Sequence, residues 1–174
     1  YRDEWGTAHI YADNRQDLIF VQGYEMARDR IFHMDWFRRF VYGTRAEVFG
    51  EEYLQDDIVK RTLNFEEIAI ENLAYYEENH PEVVDVLQAY ADGVNAYIED
   101  MRTGDNGATR PAEFDRIDED YWPEEWGPED SVAVAKIMIF GQSFQAELEL
   151  AAFAAETFMG PETRSELLPF APLH

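Results

Sequence analysis

The chain has 174 residues, 46% apolar and 15% aromatic, enough to build a packed core for one domain or slightly more, and too much for a disordered chain. Thirty-seven acidic residues against fourteen basic ones give a formal charge of −23, which repels nucleic acid and anionic membranes. Cysteine is absent, so disulfides, zinc–thiolate sites and thiol nucleophiles are excluded together. Only Lys60 and Lys136 are lysines; every other basic residue is arginine. This balance reads as a protein suited to high salt, where screening suppresses self-repulsion, or as an ordinary acidic surface that keeps the chain in solution.

Arg2 to Ala12 reads as strand, turn, strand, with Gly6 in the turn and the β-branched and aromatic bias of a strand at His9-Ile10-Tyr11. Tyr1-Arg2-Asp3-Glu4 has none of the character of a leader peptide, so export would require a targeting segment already removed. From Asn14 to Tyr42 the period changes. Phe20, Tyr24, Ala27, Ile31, Met34 and Val41 recur every three or four residues along one face of a long helix that Gly43 ends. Arg45 to Asn64 suggests short helices around Gly50, and a helix over roughly Phe65 to Glu78 follows. Pro81 then opens a new helix, whose Val83, Val86, Leu87, Tyr90, Val94, Tyr97, Ile98 and Met101 form the cleanest amphipathic pattern present.

Thr103 to Ala112 is a polar loop, and Tyr121 to Pro128 an aromatic, proline-rich connection leading into a last helix. That helix is apolar nearly all round from Val132 to Phe140, so it should run through the middle of something. The stretch is interrupted by Lys136 and is too short to span a bilayer. Gly160-Pro161 breaks the chain before an irregular tail.

No self-contained active site is visible. The serines are Ser131, Ser143 and Ser165, and none sits in a G-x-S-x-G elbow. His9, His33, His80 and His174 lack metal-ligand spacing; His33 reads as a packing histidine and His80 as a helix-entry residue. Asp56-Asp57 and Glu124-Glu125 read as solvated charge runs. Glu147 and Glu149, which follow the apolar helix, are different. A carboxylate at the end of a buried element is costly unless paired or metal-bound, so a hard-cation ligand and a surface turn both remain open.

The order of phrases resembles the α subunit of the penicillin acylase family. Arg2 to Ala12 is similar to that family's opening R-D-x-x-G-x-x-H-I-x-A, and Gly23 to Met34 to its G-Y-x-x-A-x-D-R-x-x-x-M helix. Arg38-Arg39, Gly43 to Gly50, Ala89 to Ile98, Pro111 to Phe114 and Trp126 to Asp130 continue the match in order over roughly residues 1–150. The resemblance implies an α+β protein: the mostly helical α chain of a four-layer αββα N-terminal-nucleophile hydrolase heterodimer. Residues 1–13 would join the sheet of the β chain, 14–159 would be helical and 160–174 a tail.

By the same resemblance, catalysis is hydrolysis of the amide of an N-acyl substrate, such as a β-lactam or an acyl-homoserine lactone. The nucleophile is the N-terminal serine of the β chain, released by autocatalytic cleavage of a secreted precursor, and its own α-amino group serves as base. No catalytic residue is expected in this chain. Met138, Phe140 and Phe144 are implied to line the acyl pocket, with plain core packing as the alternative for each. Glu147 is implied to bind a structural Ca²⁺ shared with the β chain. Arg28 and Arg30 are expected in structural salt bridges only. Two other readings compete: an acidic helical module binding a partner protein through Trp122 and Trp126, and a metal-dependent hydrolase built on the carboxylate clusters.

Overall fold

A computed structural model describes residues 1–143 together with 153, 154, 156–158 and 160. Phe144, Glu147 and the expected tail 161–174 lie outside the described residues. The element order is α1 (Arg15–Tyr42), α2 (Ala46–Phe49), α3 (Leu54–Leu63), α4 (Phe65–Asn79), α5 (Pro81–Thr103) and α6 (Pro128–Ser143). Three single-turn 3₁₀ segments interrupt the connections. The chain divides into two compact units, Tyr1–Ile137 and Met138–His174, and the packing core lies in the first.

Each helix boundary has a local cause. Asn14 caps α1 by accepting from the Asp17 amide at 2.9 Å, and Gly43, at φ 66°, closes it in the left-handed region. Gly50, at φ 110°, separates α2 from the 3₁₀ turn before α3. Asn64, also left-handed at φ 56°, ends α3 and begins α4 with no intervening loop. Pro81 occupies the first position of α5, where its missing N–H costs nothing.

The scaffold is the crossing of α1 and α5. Ala27, Ile31 and Met34 from α1 pack with Ala91, Val94, Tyr97, Ile98 and Met101 from α5, and Phe114 and Trp126 close the cluster. The backbones nearly touch where Gly23 meets Tyr90 and Gly93 meets Phe20. A Cβ on either glycine would overlap the facing carbonyl oxygen. The amphipathic periods of both helices therefore give the right pairing. Phe20 departs from the expected face only in part, since at 37% exposed it flanks the contact.

Residues 1–13, expected as strand, turn and strand, contain a single antiparallel bridge between Arg2 and Ala8, with Gly6 at φ 80° in the turn. Asp3 accepts the Trp5 and Thr7 amides at 3.0 and 2.9 Å, and the His9 amide reaches the Tyr1 carbonyl at 2.8 Å. A two-strand ribbon with no third strand cannot extend a ladder by itself. Arg2 anchors the ribbon to α1 through Glu25 and through Asp29 at 2.9 Å. Arg28 pairs with Glu25 at 3.6 Å, the structural salt bridge expected of it, whereas Arg30 is exposed and makes none among the described residues.

Candidate functional site

The region with the most unusual chemistry lies where the C-terminal half of α1 meets the segment leading into α6. Here the chain buries two carboxylates, Asp35 at 1% and Asp130 at 5% exposed, with two guanidiniums, Arg38 and Arg39. Arg38 spans three pieces of chain. It donates to Asp35 at 2.8 Å within α1, to the Glu125 carbonyl at 2.8 Å, and to Asp130 in the first turn of α6 at 3.3 Å. Its guanidinium also lies 5.5 Å from the Trp126 ring. Arg39 donates to the Tyr121 hydroxyl at 3.0 Å and sits 3.4 Å from Asp35, while Tyr121 donates to Asp35 in turn. Tyr42 donates to Asp130 at 2.6 Å, and Asp130 also accepts the Gly127 amide at 2.7 Å, as a carboxylate at a helix N-terminus should.

The local sequence explains the arrangement. Asp35, Arg38 and Arg39 are three and four apart, so they share one helical face, and Tyr42 continues it. Burial opposes charge on Arg38, but Asp130 and Asp35 more than offset it, and the guanidinium pKa rises above its ordinary value. Burial, reinforced by Asp130, pushes the Tyr42 phenol well above its usual range, and burial with Asp35 does the same to Tyr121. These groups are locked in one protonation state around neutrality, which suits a rigid brace and not a proton-transfer site.

The same physics yields a pH signature. Tyr24 is raised to about 12 by burial and by its 2.7 Å hydrogen bond to Asp100. Folded-state values above the ordinary tyrosine range mean that the folded chain holds these protons more tightly than the unfolded one. The contribution of Tyr24 is whole below pH ~10 and is lost as pH rises from there through about 12. Denaturant midpoints measured across that window should fall steeply in the parent chain and less steeply in Tyr24→Phe.

A cavity of about 390 Å³ opens beside the brace, lined by Arg38, Arg39, Tyr42, Thr44, Glu66 and Asp130 among others. It carries no serine, and Ser131 is occupied elsewhere, accepting the Trp126 indole N–H at 2.9 Å. The described histidines are dispersed. His9 contacts Asp3 at 3.0 Å, His80 lies 3.6 Å from Glu82 between α4 and α5, and His33 is exposed beside the Phe37 ring. The expectation that His33 packs inside is corrected: its position on α1 faces away from the crossing with α5.

Two other expectations change. Asp57 is not a solvated charge; it is 3% exposed and accepts the Ala46 amide at 2.6 Å. It neighbours Arg45, which lies under Trp36, Phe40 and Tyr53 at 4.7 to 5.0 Å from each ring and also pairs with Asp56. Trp126 is buried in the core and Trp122 half-buried, so Trp126 is not an exposed contact residue. Neither buried arginine cluster was recognised in the sequence, although the D-x-x-R-R spacing of residues 35–39 was a usable signal.

Of the residues implied to line an acyl pocket, Met138 is 59% exposed on α6, not packed in a core, and Phe140 is half-buried. Ile139 beside them is 64% exposed. The apolar helix therefore buries Val132, Ala133 and Ile137, while Met138 and Ile139 are exposed. Among the described residues no three acidic or histidine side chains converge to hold a metal. No described helix is long and apolar enough to cross a membrane.

A family model for penicillin amidase matches residues 1–172. Penicillin G acylase of Escherichia coli is 37% identical over 130 residues, which is 74% of this chain and 14% of that protein. Acyl-homoserine lactone acylase QuiP of Pseudomonas putida is 33% identical over 171 residues, 98% of this chain and 20% of that protein. The thermostable penicillin G acylase from Alcaligenes faecalis, solved in a tetragonal form, aligns with a TM-score of 0.68 at 28% identity, over 100% of this chain and 94% of that chain. The chain spans a fifth or less of the length of the two relatives from Escherichia coli and Pseudomonas putida.

Proposed function

The chain belongs to the penicillin amidase family, and from that premise we propose that it is the non-nucleophile subunit of a two-chain amidohydrolase. The observation that supports this most is the end-to-end match to one solved chain of a penicillin G acylase, with 94% of that chain covered. The partner is a larger β chain from the same precursor, and residues 1–13 add a strand to its sheet in a four-layer αββα assembly. An exposed ribbon with unpaired edges is suited to that role.

In this reading the β chain's N-terminal serine attacks the amide carbonyl of an N-acyl substrate. Its hydroxyl proton passes to its own α-amino group, directly or through a water, and then to the leaving amine. Water hydrolyses the acyl-enzyme by the same route in reverse. Donors on the β chain stabilise the oxyanion. This chain contributes acyl recognition: Met138, Phe140 and Phe144 line the pocket, and the exposed Met138 and Ile139 are covered once the β chain docks. The substrates are β-lactam amides or acyl-homoserine lactones, and the setting is periplasmic or extracellular.

Calcium is proposed with a narrower basis. Glu147 is the proposed ligand in this chain, together with oxygens of the β chain; the described residues form no cation cluster by themselves. A hard cation held there would tie the two chains together and contribute stability, not chemistry.

Intact-mass and N-terminal analysis of everything that co-purifies natively tests the reading. A stoichiometric larger chain beginning with Ser, Thr or Cys supports it, and release of amine from an N-acyl substrate then identifies the acyl preference. A clean, folded species of 20.3 kDa with no partner overturns it. A high-salt origin makes a separate prediction from the −23 charge. Raising KCl from 0.1 to 2 M shortens the screening length from ~10 Å to under ~3 Å and should raise the melting temperature, with the gain saturating near 1 M.

A further inference from the structure

We propose that α3 docks against the larger chain through an uncharged apolar face made by Leu54, Ile58 and Val59. The inference rests on the functional reading above, in which a second chain from the same precursor completes the enzyme. α3 is amphipathic in the reverse of the usual sense. Its charges are turned toward the rest of the protein, and each has a partner there. Asp57 is buried and accepts the Ala46 amide at 2.6 Å. Asp56 pairs with Arg45 and with Lys60 at 2.9 Å, and the Lys60 ammonium lies 4.4 Å from the Phe40 ring. Arg61 donates to the Gly43 carbonyl at 2.8 Å and to Glu47 at 2.7 Å. The opposite side carries no charge. Leu54 and Ile58 lie one turn apart, and Gln55, Val59 and Thr62 continue their face. The three aliphatic side chains are 43 to 53% exposed. The Thr62 hydroxyl is turned back to the Ile58 carbonyl at 2.8 Å.

Single exposed aliphatic residues need no explanation. Three on one charge-free helix face, with the charges of the same helix held behind them, mark a surface that is covered. The excess of negative charge narrows what covers it. Two copies meeting through α3 would bring together two chains of formal charge −23, and an anionic membrane would be repelled in the same way. The rest of the precursor has the size required. The match to the Pseudomonas putida relative takes up 98% of this chain and only 20% of that protein, which leaves four-fifths of it to pack elsewhere. The paired charges on the inner side fix which way α3 faces, so the apolar strip is presented before the partner arrives.

The test is made on the enzyme as it assembles from its precursor. The chain has no cysteine, so Val59→Cys and, at an exposed charged site on α5, Glu99→Cys each place one thiol in it. Maleimide labelling of the native assembly, read on this chain by mass, should be roughly tenfold slower at 59 than at 99, and the difference should vanish in denaturant. Hydroxyl-radical footprinting of the parent enzyme needs no substitution and should find Leu54 and Ile58 protected, so the outcome does not depend on a thiol variant assembling. A photo-reactive phenylalanine analogue in place of Ile58 then identifies the cover, and a cross-link to the larger chain is expected. Equal labelling at 59 and 99, or unprotected Leu54 and Ile58, in a preparation that contains the larger chain overturns the proposal. So does a cross-link to a second copy or to another part of this chain. A preparation with no larger chain at all would instead overturn the functional reading beneath it.

Discussion

Gly93→Ala should leave this chain largely unfolded at temperatures where the parent is intact. Alanine is normally the better helix former, by about 1 kcal/mol over glycine, and on an exposed helix face the exchange would stabilise. At position 93 the added methyl overlaps the Phe20 carbonyl oxygen and sits 2.8 Å from its carbonyl carbon and 2.9 Å from the Tyr24 nitrogen. All three are backbone atoms of a 28-residue helix, so no rotamer change relieves the overlap. The helices must separate along the whole contact that builds the core. We expect a loss of about 3 kcal/mol or more, the upper end of overpacking costs, against the propensity gain of about 1. For a chain of this length the net of about 2 kcal/mol is a fall of about 4–8 °C in melting temperature, readable by far-UV circular dichroism. Gly23→Ala, which faces the Tyr90 carbonyl oxygen, should behave alike; a neutral result at both sites would mean that α1 and α5 do not cross at backbone distance.

The second large effect is expected at Asp35. Its carboxylate is 1% exposed and receives Arg38, Arg39 and the Tyr121 hydroxyl. Asp35→Ala removes the carboxylate that both guanidiniums share, leaving Arg38 with Asp130 and Arg39 with Tyr121 and Glu124, and breaking one side of a buried pair costs about 3–5 kcal/mol. Truncating the arginine as well removes part of what was stranded. Arg38→Met combined with Asp35→Leu should therefore be less destabilised than the sum of the two single changes, by at least about 1 kcal/mol. Urea denaturation of the four species in the cycle measures this directly. Strict additivity would show that the contacts around Asp35 contribute no coupling and that the acid is merely buried.

Much of this architecture was legible along the chain. The periods of α1 and α5, Pro81 at a helix start and Gly43 at a helix end each have a local physical cause, and each element lies where its signal placed it. The phrases Gly23 to Met34 and Ala89 to Ile98, which carry the family resemblance, have a reason in the structure. Each contains one of the two glycines at which the helices touch.

The charged interior was less legible, because a carboxylate's burial depends on partners far away in sequence. Asp57 sits beside Asp56 in a charge run that predicts solvent exposure, yet Ala46 and Arg45, eleven or more residues earlier, lie against it. Asp35 and Arg38 announce themselves as a helical pair, but Asp130 and the Glu125 carbonyl join them only through tertiary packing. His33 fails for the converse reason: helix membership predicts a face only when the partner's direction is known.

Alone, then, the sequence determined the helices, their caps, the acidic character and the family, since all of these follow from local propensity and from the order of short phrases. Only the tertiary structure decided which polar groups are buried, that two glycines are contact points, and that Arg38 holds Asp130 at the start of α6. Burial and contact are properties of pairs of distant segments, and no single segment carries that information by itself.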